Sequence, residues 1–279
     1  MVISDFVSLD DMTEGPIVEV DAGVDASEAL IVNCFPSVGF VSSIVAHYLV
    51  DKLELRLVGG VTHAKLPPMC LVQDGKPLPP LRVYTGEPIC KLDSCDKVVL
   101  IVSEVQIDNQ IKMSLARSLM NWTKESGSGV SIMIDSFAKG EAGGHTILDD
   151  DDIDTTMLGI GSTDAAIKML NDIGLPLLKH GLVGGMTGVM MGESRRRGLD
   201  SLAILAESNG GPMEGQPFPD ARAAARIIEC LDGLLPAIHL DPAPLLEEAQ
   251  RIENQIRDMM AVNLNPSTEV SNGSESMFG

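Results

Sequence analysis

The sequence predicts an α/β fold built on a mostly parallel, doubly wound sheet. Short apolar runs with the length of buried strands recur along the chain, and apolar residues at helical spacing follow several of them. Strands that alternate with helices in this way are typical of a parallel sheet. The strand–turn–helix unit of such a fold is recognisable in one stretch. The apolar run 29–35 precedes a turn at Pro36, and apolar residues follow at helical spacing from Val38 to Leu49.

The other elements are predicted in chain order from the same patterns. The run KVVLIV at 97–102 is the strongest strand in the sequence, and an amphipathic helix follows it. Residues 64–80 carry five prolines, which predicts loop or edge structure. A hairpin is predicted to pair 81–84 with 88–92. Further strands are predicted at 17–20, 55–61, 130–134 and 202–206, and further helices at 109–124, 162–173, 219–235 and 241–262.

The composition favours a soluble globular protein and excludes several classes of function. The chain has 279 residues, of which 44% are hydrophobic and 22% are charged. Its formal net charge of −20 argues against a nucleic-acid-binding protein, because phosphate backbones require a basic face. The apolar runs are too short to span a bilayer, and residues 1–15 lack the pattern of a signal peptide. We therefore expect a cytoplasmic protein.

No metal site and no cofactor is predicted. The five cysteines include no C-x-x-C pair, and no histidine lies in an H-E-x-x-H motif. The acidic run Asp149–Asp152 resembles a calcium loop only superficially, because a frame that starts at Asp150 places Thr155 where glycine is required and Gly161 where glutamate is required. A solvated acidic loop is the better interpretation. His145 and His180, which lie beside glycines, are the best enzymatic candidates.

Two groups of glycines are candidate ligand sites. Gly39 lies where the first helix begins after a strand, and such a position can bind an anion. The small residues Gly181, Gly184, Gly185 and Gly188 lie on one face if that segment is helical, and a phosphate could approach the last three closely. Neither group has the lysine and spacing of a phosphate-binding loop, since Lys179 precedes the second group without a required spacing. Close packing is the alternative, and the sequence favours it.

The C-terminal region has two features that indicate contact with other proteins. Apolar residues alternate spacings of four and three along the last predicted helix, which favours docking on the domain or on a neighbouring subunit, and we therefore predict an oligomerisation seam at Leu245, Ala249, Ile252, Ile256 and Met259. A polar stretch from 263 then ends in Met277, Phe278 and Gly279. An apolar side chain, an aromatic ring and a free carboxylate together suit a docking peptide. A frayed terminus is the alternative.

Four segments taken together in order resemble a known family. They are FPSVGFVSSIVAHYLVDKL, KVVLIVSE, HGLVGGMTGVMM and LAILAESNGG with PDARAAARIIECLDGLL, and the resemblance covers roughly 28–262. The chain resembles the archaeal branch of the proteasome assembly chaperone family, whose eukaryotic members include the second subunit of a heterodimeric chaperone. The resemblance implies a three-layer α/β/α domain, related in fold to nucleoside phosphorylases, that forms homo-oligomers and has no catalytic residues.

The resemblance also implies a partner, namely proteasome α-subunits. Some members of the family carry a C-terminal hydrophobic–tyrosine–any-residue tail that inserts between α-subunits. Met277 and Gly279 fit that pattern, whereas Phe278 replaces the tyrosine. The aromatic ring is kept and the hydroxyl is lost, so docking is expected, while a gate-opening step that uses the hydroxyl is in doubt.

These observations lead to two hypotheses on function. The first is a non-catalytic chaperone with an α/β domain at 1–240, an oligomerisation or docking helix at 241–262 and a flexible docking tail at 263–279. The second is a phosphorylase-like enzyme or small-ligand binder with an anion site near the glycines. Fold class alone cannot separate them.

Overall fold

The structure is a computed structural model that describes residues 15–86, 97–138, 156–208, 218–235 and 239–247, together with the backbone of 146–148. Its strands are β1 (Ile17–Val20), β2 (Leu30–Cys34), β3 (Arg56–Thr62), β4 (Leu71–Gln73), β5 (Lys76–Leu78), β6 (Arg82–Gly86), β7 (Val98–Val102), β8 (Ser131–Phe137), β9 (Thr146–Leu148), β10 (Met157–Gly161), β11 (Gly181–Val183) and β12 (Ser201–Glu207). Its helices are α1 (Val41–Lys52), α2 (Asn109–Glu125), α3 (Asp164–Asp172), α4 (Gly185–Arg197) and α5 (Ala221–Leu234).

Eight of these strands form one mixed sheet in the order β1-β3-β6-β7-β2-β8-β12-β10. The central strands β7, β2, β8 and β12 are parallel, and antiparallel strands flank them on both sides. All five residues of β7 are buried, because helices cover both of its faces. The mostly parallel centre that the sequence predicts is therefore confirmed, and the antiparallel flanks complete the sheet.

Helices pack on both faces of the sheet, which gives the predicted three layers. Alternate residues of the central strands contribute to two apolar clusters, as the period of two in a strand requires. One cluster joins the sheet to α1, α3 and α5, and the other joins it to α2 and α4. The apolar stripe predicted on α2 faces the second cluster through Ile111, Leu115 and Leu119, which are buried.

The predicted hairpin between 81–84 and 88–92 is wrong. Strand β6 pairs with β3 along one edge and with β7 along the other, so both of its edges are occupied. Residues 88–92 lie outside the described residues. A hairpin forms instead within the proline-rich segment, where β4 pairs with β5. None of the helices in the described part of the chain has both the length and the apolarity that crossing a membrane requires.

Candidate docking site

A groove lies between α1 and the start of the C-terminal region. Residues 243–247 form a helical turn, and the Tyr48 hydroxyl donates a hydrogen bond of 2.7 Å to the backbone carbonyl of Asp241. Leu245 packs against the apolar cluster under α1. The groove has a volume of about 610 Å³ and is lined by Ser43, Ile44, His47, Tyr48, Asp51, Lys52, Pro244 and Leu245. Residues 241–247 thus pack along an apolar surface beside α1.

The predicted oligomerisation seam is described only at its first residue. Leu245 contacts its own domain, which is one of the two kinds of docking that the heptad spacing suggests. The other seam residues are Ala249, Ile252, Ile256 and Met259, and they lie outside the described residues, as do Met277, Phe278 and Gly279. The seam and the docking tail therefore stay predictions.

Gly39 lies at a tight crossing of three segments. Its φ of 64° is in the left-handed region, and a Cβ atom there would lie 2.2 Å from the Ser208 hydroxyl oxygen and 3.0 Å from the Asp220 Cβ. The backbone amide of Asp220 donates a hydrogen bond of 2.8 Å to the Gly39 carbonyl. The turn before α1 thereby contacts the end of β12 and the start of α5. Close packing occupies the space beside Gly39, while its predicted role as a ligand site stays a prediction.

The second glycine group spans a strand and a helix. Gly181 belongs to β11, so the expectation that one helix carries all the small residues of this segment is wrong. The helix α4 begins at Gly185, and a Cβ atom on Gly188 would lie 2.0 Å from the carbonyl oxygen of Val183. Gly188 therefore lets the first turn of α4 fold back against β11.

A carboxylate faces the first turn of α4. The Thr187 side chain hydrogen-bonds the carboxylate of Asp135 in β8, and the backbone amide of Ser136 donates to the same carboxylate at 2.8 Å. Burial raises the pKa of Asp135 to about 6 even though both hydrogen bonds oppose the shift. A negative charge at this position occupies the favourable end of the helix dipole. The carboxylate of Asp135 therefore competes with any external anion for the helix start near Gly184 and Gly185.

A buried ion pair links β6 to α1. The Arg82 side chain is only 1% exposed, and its guanidinium donates to the carboxylate of Glu104, to the Tyr84 hydroxyl at 3.0 Å and to the Pro79 carbonyl at 3.1 Å. His47 Nε2 lies 3.2 Å from Glu104 Oε1. Burial alone would raise the pKa of Glu104, but the bonds to His47 and Arg82 bring it down to about 2.

Sequence reasoning missed this pair of charges. The only signal was an arginine inside the predicted strand at 81–84, and its partner lies 22 residues further along the chain. His47 is 53% exposed and lies at the groove.

Of the two enzymatic candidates, only His180 belongs to the described part of the chain, where it is exposed just before β11, whereas His145 lies outside the described residues. In the ranges that the structure describes, no three acidic, histidine or cysteine side chains form a group that could hold a metal ion.

Comparisons with known proteins identify relatives over most of the chain. The profile described as the PAC2 family matches residues 31–260. An uncharacterised protein of Methanocaldococcus jannaschii is 22% identical over 243 residues, which cover 87% of this chain and 90% of that protein.

Two solved structures from Pyrococcus furiosus have the same fold. One is PbaA, described as an archaeal homolog of proteasome-assembly chaperone, with 27% identity, a TM-score of 0.72 and coverage of 89% of this chain and 92% of that chain. The other is PbaB, described as an archaeal proteasome activator, with 16% identity, a TM-score of 0.70 and coverage of 88% and 99%. At that identity the likeness to PbaB concerns the fold alone.

Proposed function

Because the chain belongs to the PAC2 family, we propose that it is a non-catalytic chaperone that binds proteasome α-subunits and assists assembly of the core proteasome. The observation that carries this proposal is the likeness to PbaA, which extends over 89% of the chain at 27% identity. PbaA is itself described as an archaeal homolog of proteasome-assembly chaperone. A likeness of this extent, with a TM-score of 0.72, favours a shared binding role.

In this proposal the C-terminal tail docks into a pocket between two α-subunits. Met277 and Phe278 supply apolar side chains for the pocket, and the carboxylate of Gly279 pairs with a lysine or with backbone amides. The tether of about 17 residues spans about 20–25 Å as a random coil, which separates the docking residues from the domain. Self-association through the seam that begins at Leu245 would present several tails at once and raise the effective concentration of each.

The proposal is tested by measuring the binding of purified α-subunits from the same organism to the full chain. We expect binding that falls at least tenfold when residues 277–279 are deleted. Phe278→Tyr should bind at least as tightly as the original chain, because it keeps the ring, whereas Phe278→Ala should resemble the deletion. A chain extended by three glycines after Gly279 is the matched control for the free carboxylate, and it should also bind weakly.

Two outcomes would contradict parts of the proposal. If the full chain binds no α-subunit, either free or assembled in rings, the chaperone role is refuted. If it binds and the deletion binds equally well, the role stands and the tail is not the docking element.

A second candidate function is the binding of a small ligand, as in a phosphorylase-like enzyme. Asp135 favours it, because a carboxyl group with a raised pKa beside a helix start is characteristic of functional sites. The Asp135 carboxylate competes with anions but can accept hydrogen bonds from hydroxyl or amino groups, so thermal unfolding with an uncharged nucleoside tests this function. A nucleoside that raises the unfolding temperature of the original chain but not of Asp135→Asn would support it, and no shift would count against it.

A further inference from the structure

The hairpin formed by β4 and β5 projects from the domain. Its base is anchored where Leu66 is buried in the cluster beneath α2 and where Lys65 Nζ donates a hydrogen bond of 2.7 Å to Gln110 Oε1. Beyond that base, Met69 is 54% exposed and Val72 is 69% exposed. An isolated pair of strands is only marginally stable in water, and apolar side chains on its surface remain exposed to solvent unless a partner covers them.

The turn of the hairpin fixes its register. Asp74 and Gly75 have φ angles of 50° and 75°, which is the pattern of the two-residue type I′ turn. Gln73 pairs with Lys76 beside the turn, and Val72 pairs with Pro77 one step further away. In such a hairpin the pair beside the turn exchanges hydrogen bonds, so the backbone groups of the next pair point outward.

The two outer edges of the hairpin are therefore unequal. On β5 the outward group is Pro77, which has no amide hydrogen and cannot donate to an added strand. On β4 the outward group is Val72, whose amide and carbonyl have no hydrogen-bond partner among the described residues. The sequence blocks one edge in the way that proteins prevent edge pairing and leaves the other edge open.

The charge of the hairpin differs from that of the rest of the molecule. Residues 63–80 carry Lys65 and Lys76 against the single acid Asp74, in a chain with a formal net charge of −20. Lys76 lies across from Gln73, on the opposite face of the hairpin from Val72. A strand added to the edge of β4 would lie about 5 Å from β4, and the long side chain of Lys76 can extend over Gln73 towards a carboxylate on that strand.

We propose that the outer edge of β4 binds an extended segment of a partner protein in which apolar residues alternate with carboxylates. The backbone of Val72 pairs with the segment, the side chain of Val72 covers its apolar residues, and Lys76 on the other face attracts its carboxylates. This docking surface is separate from the C-terminal tail and does not depend on the α-subunit proposal.

The test is a titration of the isotope-labelled full chain with an acetylated six-residue peptide that alternates valine and glutamate. We expect the Val72 amide resonance to shift and its hydrogen exchange to slow, with a dissociation constant of about 1 mM for so short a probe. A matched peptide with lysine in place of glutamate should bind at least threefold more weakly at low salt.

Three variants of the chain sharpen the result. Val72→Pro removes the outward amide, as Pro77 does on the other edge, and should weaken binding at least fivefold, whereas Val72→Thr keeps the amide and is the matched control. Lys76→Glu should reverse the preference between the two peptides. The result with Lys76→Glu does not depend on proline being tolerated at position 72. It therefore tests the proposal even if Val72→Pro disrupts the hairpin.

Several results would overturn the proposal. They are the absence of any shift at Val72 with several millimolar peptide, equal binding by Val72→Pro with an intact hairpin, and an unchanged peptide preference in Lys76→Glu. A shift at Val72 that depends on protein concentration without peptide would show that a second copy occupies the edge instead.

Discussion

The guanidinium of Arg82 lies inside the domain and donates a hydrogen bond to the carboxylate of Glu104, which is also the acceptor nearest to His47. The pair joins an edge of the parallel core to the groove beside α1. Because a buried charge without its partner is strongly destabilising, this pair makes a sharp prediction about stability.

Glu104→Ala should lower the free energy of unfolding by about 3–5 kcal/mol, since it leaves the Arg82 guanidinium buried without its counter-charge. His47→Ala is the matched control and should change stability by less than about 1 kcal/mol, because the imidazole is half exposed. Chemical denaturation measures both values. The double variant Arg82→Met with Glu104→Ala should recover part of the lost stability. A loss in the double variant that equals the sum of the losses in Arg82→Met alone and Glu104→Ala alone would contradict the pairing.

Asp135 should make the protein more stable in mild acid than near neutrality. Its pKa in the folded protein, about 6, is above the ordinary value of 3.8, so the folded state binds the proton more tightly than the unfolded state between these two pH values. The contribution of this group to stability is therefore greatest below about pH 4 and is lost as the pH rises through 6.

Asp135→Asn tests this dependence, because the amide stays neutral and its oxygen still accepts a hydrogen bond from Thr187. It should stabilise the protein at pH 7 by an amount on the order of 2 kcal/mol and change little at pH 4. Thermal unfolding at the two pH values gives the comparison, and equal effects at both would refute the raised pKa.

Glu193 should hold the C-terminal end of α4 in place. Its carboxylate is buried and accepts hydrogen bonds of 2.9 Å from Arg196 and 2.8 Å from Arg197, and it lies 3.8 Å from Arg117 of α2. Glu193→Ala should lower the unfolding temperature by several degrees, because it removes all three contacts. Asp172→Ala breaks the exposed pair with Lys168 and is the control, for which almost no change is expected. Similar effects of the two substitutions would show that Glu193 does not stabilise the C-terminal end of α4.

Two glycines on α4 should respond to alanine in opposite directions. Gly188→Ala places a methyl group 2.0 Å from the Val183 carbonyl and should destabilise the protein by about 1–3 kcal/mol. Gly192→Ala meets no atom within 4 Å and should stabilise the helix by about 0.5–1 kcal/mol. Denaturant titrations of the two variants give the signs, and destabilisation by both would mean that helix propensity does not govern Gly192.

Local patterns were enough to predict the centre of the fold. The run that forms β7 is apolar throughout, those of β2 and β8 are mostly apolar, and α2 carries an apolar stripe, so length and periodicity identified them. The pairing of β6 was mispredicted because adjacency in sequence favours a hairpin, whereas the strand gains more by burial between β3 and β7. Pairing between distant segments has no local signal.

The hairpin of β4 and β5 could have been predicted. Asp74 and Gly75 are a typical type I′ pair, but five prolines in 64–80 favoured a loop. Arg82 with Glu104 could not have been predicted, because neither residue reveals its burial or its partner. For the candidate docking site, the sequence predicted the seam and the tail, whereas the structure adds Tyr48 and places Leu245 at the groove beside α1.

The position of β2 in the sheet has a consequence for biosynthesis. This strand emerges from the ribosome before both of its neighbours, β7 and β8, which are encoded about 65–100 residues later. At a translation rate of about 5–20 residues per second, an apolar strand waits for several seconds without its partners. A nascent chain of this protein is therefore exposed to aggregation until β8 has been synthesised, and slow codons placed between β2 and β8 would reduce its yield.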